Sequence, residues 1–178
     1  MDKELELLPF TDEFLYSPPG DVDCENENLP LLKNTLLLAM NKFGGVGLSA
    51  NQVGLDMKYF VIGDNQPDGM QKAFFNPEII GVGQEEESIR EGCLSFPGLW
   101  LMVKRPTEVA IKYINSEGEE MVETYKGVTA RVILHEYDHM IGQNFTMRVS
   151  KLKLERALKA LKKKVKKHQR QEAQTLEL

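Results

Sequence analysis

The sequence predicts an α+β domain, on three observations. Separate stretches carry apolar residues at helical spacing, and four runs between the first two are rich in β-branched and aromatic residues. The turns dividing those runs are short, which suits strands paired with their neighbours. At 178 residues the chain has room for one well-buried domain, and no internal repeat or long Gly/Ser/Pro linker divides it.

The first helix is expected in "NLPLLKNTLLLAMNKFGG", where Asn28 can cap it, Pro30 suits its first turn and Gly44-Gly45 ends it. Leu32, Leu36, Ala39, Met40 and Phe43 make its buried face. Strands are expected in "MKYFVIG" (57–63), "KAFFNPEIIGV" (72–82), "LMVKRPTEVAIKYIN" (101–115) and "EMVETYKG" (120–127), with turns at "GDNQPDG" and "NSEGE". Pro106 should mark a bulge or break in the third run. A second helix is expected from about Val128 to Ile141, with Gly142 as its C-cap, and a third from Lys151 to about Ala173.

The 42% hydrophobic and 28% charged content is ordinary for a soluble domain. No apolar run reaches the roughly 18–20 residues a membrane span needs. "MDKELELLPF" lacks the layout of a signal peptide, so a cytoplasmic setting is the expectation. Cys24 and Cys93 are the two cysteines, and in a reducing compartment they are not expected to pair. The net charge of −5 hides an asymmetry: from Lys151 onward ten Lys or Arg face three Glu, while the body carries twelve against twenty-four acids. A basic tail on an acidic body can meet a polyanion, or can simply be a solvated helix.

The densest chemistry lies in "VILHEYDHM". His135 and His139 share a face with Val128 and Val132, and the valines turn that face inward. Two buried imidazoles beside Glu136 favour a cation over two satisfied core histidines. Such a site needs a third protein ligand and an open position. Glu155 is available, though its basic surroundings argue against it. Cys93, in "REGCLSFPG", could supply a thiolate or be a small buried hydrophobe, and the residues alone weigh these equally. In "GGVGLSANQVG" the glycines permit close backbone approach, and the Gln52 amide could serve an oxyanion.

Taken together, "GVGLSANQ" (45–52), "EGCLS" (91–95) and "LHEYDHM" (134–140) resemble the three ordered motifs of the peptide deformylase family, in its bacterial and organellar branch. The likeness covers roughly residues 5 to 150. It implies a catalytic domain over 1–150, with mixed or antiparallel sheets around a central metal-binding helix and helices at either end, and a basic C-terminal helix over 151–178. Three positions depart from the family pattern: Ser49 replaces Ala, Met140 replaces Leu and Leu134 replaces Gln.

The resemblance implies that Cys93, His135 and His139 hold one divalent metal, expected to be Fe(II), with Zn(II), Ni(II) or Co(II) able to take its place. Glu136 would act as general base, and the Gln52 amide with the Leu94 N–H would meet the oxyanion as formyl is removed from formyl-methionyl peptides. Val46, Gly47, Gly92, Arg105 and Val132 would contact the substrate. In the tail, Leu154, Leu158, Leu161 and Val165 form a thin apolar stripe among lysines, and the resemblance implies docking on the ribosome. A monomer is expected, with no DNA or membrane partner. The alternatives are a zinc endopeptidase using Glu155 as third ligand and an inactive metal- or ribosome-binding homologue.

Overall fold

A computed structural model describes residues 5–63 and 69–176. The expected turn "GDNQPDG" lies mostly outside them. Helix α1 (Leu29–Lys42) begins as expected, with the Asn28 side chain accepting from the Leu31 N–H at 3.1 Å and Pro30 in the first turn. Leu36, Leu37, Ala39 and Met40 are its buried side chains after Leu29.

Seven strands follow among the described residues: β1 (Gly47–Ser49), β2 (Tyr59–Gly63), β3 (Gln71–Val82), β4 (Glu86–Cys93), β5 (Phe96–Pro106), β6 (Glu108–Ile114) and β7 (Glu120–Lys126). They form a five-stranded sheet in the order β1-β2-β3-β6-β7 and a separate β4-β5 hairpin, with every pairing antiparallel. The expected third run is indeed two strands, divided at Pro106 and Thr107, because proline cannot donate to a ladder. Neither β1 nor β4 was expected. β1 is only three residues long, and the outward side chains of "EESIR" give no alternation to read.

The five-stranded sheet is covered on both faces. Alternation along β2 sends Tyr59 and Val61 to the core under α1, and Phe60 and Ile62 to the core under helix α2 (Gly127–Met140). A strand buried on both faces reads as one apolar run, as "YFVI" does. A third cluster joins Leu99, Leu101 and Val103 of β5 to Phe145 and to Leu154, Ala157 and Leu161 of helix α3 (Lys151–Leu176). α2 therefore lies between the large sheet and the hairpin, so that polar groups on its inward side face β4 and β5.

Candidate metal centre

Cys93 closes β4, opposite Phe96, across the two-residue turn Leu94-Ser95. A register shift between Glu91 and Cys93 breaks the regular ladder there. The turn brings the thiol to α2: one donor atom each from Cys93, His135 and His139 lies within 4.8 Å of the others, and Cys93 Sγ is 3.5 Å from His139 Nε2. A thiolate and two imidazoles gathered in a largely dry place fit a divalent cation of the transition series, with the cleft side left open.

Glu91 fixes the orientation of His135. Its Oε2 lies 3.0 Å from His135 Nδ1, which leaves Nε2 for a metal. The same carboxylate accepts from Arg105 Nε at 2.8 Å and Nη2 at 3.0 Å, and from Arg131 Nη1 at 2.8 Å. Burial would raise the pKa of Glu91, but hydrogen bonds from His135, Arg105 and Arg131 pull it down to about 2. Burial likewise opposes charge on His135, yet Cys93 and Glu91 outweigh it and raise its pKa. His139 is pushed well below its ordinary value by burial, with His135 and Arg105 adding to the effect.

Glu136 is raised by burial, against the opposing pull of His135 and of the Ser49 hydroxyl. A carboxylate made more basic in this way can take a proton from water at the cleft. Gln52 accepts the Ser49 N–H on Oε1 at 3.0 Å and donates from Nε2 to Ser95 Oγ at 3.0 Å and Cys93 Sγ at 3.4 Å. Its donor edge therefore points at the Cys93 sulfur and the Ser95 hydroxyl.

A cleft of about 660 Å³ opens onto these groups. Gln52, Cys93, Leu94, His135 and Glu136 line it, as do the expected contact residues Val46, Gly47, Gly92 and Val132; His139 is fully buried behind them. Gly47 and Gly92 are glycine for want of room. A Cβ on Gly47 would stand 2.5 Å from Glu136 Oε1, and one on Gly92 would stand 3.1 Å from the Trp100 ring.

Two expectations require correction. Arg105 does not reach the cleft. It is 3% exposed on the inward face of β5, in phase with Leu101 and Val103, and its guanidinium is taken up by Glu91, Asp138 and the Leu134 carbonyl. Val128, expected to face inward, is 72% exposed in the first turn of α2, and burial along the helix begins instead at Ala130 and Arg131. Asp138 is buried between Arg105 and Arg148. Glu91 and Arg131 were not singled out from the sequence. The signal for Glu91 was the charged Arg105 at a core position of β5, which requires a buried carboxylate partner.

Glu155 is exposed on α3, away from the three donors, so the endopeptidase ligand set is not formed. The family model for polypeptide deformylase matches residues 4–155. A peptide deformylase of Pseudothermotoga lettingae is 38% identical over 145 residues, covering 82% of this chain and 81% of that one. One from Christiangramia forsetii is 37% identical over 163 residues, covering 84% and 83%. Among solved structures, a Synechococcus elongatus peptide deformylase in complex with actinonin has a TM-score of 0.81 at 33% identity, covering 90% of this chain and 87% of that one. The plant peptide deformylase PDF1B has a TM-score of 0.84 at 31% identity, covering 96% and 94%. By motif, fold and extent of match the chain belongs to the polypeptide deformylase family, metal-dependent hydrolases that remove the formyl group from nascent peptides.

Proposed function

We propose that Cys93, His135 and His139 bind the catalytic metal and that the cleft beside them takes the formylated N-terminus of a peptide that begins with methionine. The observation that carries this is the convergence of the three donors beside Glu136, within a cleft also lined by Gln52. When bound, a divalent cation lowers the pKa of water and polarises the formyl carbonyl. Glu136 takes the proton of the attacking water. The Gln52 amide and the Leu94 N–H donate to the oxygen that gains charge. As the C–N bond breaks, Glu136 returns its proton to the departing amine, and formate leaves. Val46, Gly47, Gly92 and Val132 line the cleft; in this reading the Val46 and Gly92 backbones pair with the peptide as an added strand, beside Gly47, and Val132 walls the methionine side chain.

The donor set alone suits zinc; resemblance to the family favours ferrous iron. All the donors, Glu136 and Gln52 come from one chain, which suits a monomer. No described helix is long and apolar enough to cross a membrane, and a cytoplasmic site of action fits two unpaired cysteines. The exposed lysines of α3 suit ribosomal RNA as a docking partner.

Formate release from formyl-Met peptides tests this reading, measured anaerobically on protein loaded with Fe(II) and, separately, Zn(II). Glu136→Ala should lower turnover by at least ~10²-fold, and Cys93→Ala should lose both bound metal and activity. Full activity in either variant overturns the assignment, and equal or greater turnover with zinc overturns the choice of iron.

A further inference from the structure

Ser49 ends β1 and is fully buried, so its hydroxyl must find its partner inside the protein. Two acceptors are in reach, both on Glu136: carboxylate Oε2 at 2.8 Å and the main-chain carbonyl at 3.1 Å. A hydroxyl has one proton to give. The shorter contact, to the charged acceptor, is the stronger. The other carboxylate oxygen, Oε1, abuts Gly47 on the cleft wall.

The main chain of the same residue has a second task. The Ser49 N–H donates to Gln52 Oε1 at 3.0 Å and thereby turns Gln52 Nε2 toward Cys93 and Ser95. Any residue but proline could orient Gln52 in this way. Only a side chain with a donor could hold Glu136, and the alanine usual at this position in the family has none.

We propose that Ser49 is a positioning residue, whose hydroxyl pins Oε2 of Glu136 so that Oε1 is the oxygen that exchanges protons at the cleft. Ser49 keeps its own proton throughout. Oε1 takes one proton from water and surrenders it to the amine, and the Oε2 contact is unchanged in both states. The proposal rests on the reading of Glu136 as the base.

The test is Ser49→Ala in the metal-loaded full chain, which keeps the N–H and nearly the same volume, assayed beside Glu136→Ala. A loosely held base should lower kcat by about tenfold, with KM, bound metal and melting temperature close to wild type. A kcat within twofold of wild type overturns the proposal. So does a loss of kcat that merely follows lost metal, lost stability or a raised KM. If Glu136→Ala turns over like wild type, it is the underlying assignment of the base that fails. An inactive Glu136→Ala beside a fully active Ser49→Ala removes only the role of Ser49.

Discussion

Helices α2 and α3 are both rich in ionisable side chains, and they use them in opposite ways. Of the 14 residues of α2, nine are buried, and Arg131, His135, Glu136, Asp138 and His139 are among them. α3 is 26 residues long, yet none of its described side chains is fully buried, and only Leu154, Ala157 and Leu161 are partly sheltered against the β5 cluster. Buried ions are tolerable only when matched to partners, so α2 depends on β4 and β5 for its place in the fold. α3 keeps its charges in water and depends on a thin apolar seam. Position relative to water, rather than charge content, decides what each ion is worth.

The sharpest way to break this contrast is to remove Glu91, which faces Arg105, Arg131 and His135 at once. Glu91→Gln leaves Arg131 without its carboxylate and Arg105 with Asp138 alone, and should cost about 3–5 kcal/mol of stability. Metal affinity should fall by roughly 10–100-fold as His135 loses its orienting carboxylate. Glu155→Gln on α3 should stay within about 0.5 kcal/mol of wild type. Denaturant melts and metal titrations of the two variants compare them directly; equal stability would end the distinction between the helices.

A somewhat smaller effect should appear on acidification. The folded-state pKa of Glu91, about 2, lies below its ordinary value of 4.5, so its contribution is present in full above about pH 4.5 and is lost as pH falls through 2. The shift corresponds to about 3 kcal/mol. Unfolding free energies measured from pH 7 down to 2 should show this loss in wild type and lack it in Glu91→Gln. Parallel curves would mean that another carboxylate carries the acid sensitivity.

These partnerships also mark where sequence reasoning stops. The elements that bury apolar faces were legible: α1 through its spacing and cap, β2 and β3 as apolar runs, and α2 through the inward phase of His135 and His139. The three motifs contain the three residues whose donor atoms gather at the candidate metal centre, and Glu136 and Gln52 beside them. β4 was not legible, because apart from the half-buried Ile89 its side chains face solvent until Glu91, and only its pairing with β5 carries that carboxylate under α2. Arg105 was misjudged as a substrate contact although its alternation with Leu101 and Val103 already placed it inside. Val128 shows the converse limit, since helical phase does not reveal that the first turn of α2 extends beyond the packed layers.

The smallest effect on the fold is expected from α3, where docking and charge can be separated. Removing the whole helix would uncover Phe96 and Phe145, which share a cluster with Leu154 and Leu161, and so would confound any binding assay with lost packing. Replacing Lys162, Lys163, Lys166 and Lys167 with Gln leaves that seam intact, because all four side chains are exposed. Stability should then change by no more than about 0.5 kcal/mol, and formate release from a short peptide should stay within twofold of wild type. Ribosome binding should weaken, and its dependence on salt should flatten, because each lost phosphate contact removes a released counterion. Unchanged affinity at low salt would make the lysines only a solvated face. A loss of formate release would show instead that α3 acts on the cleft, by way of Leu161 against Gly98 in the cleft wall.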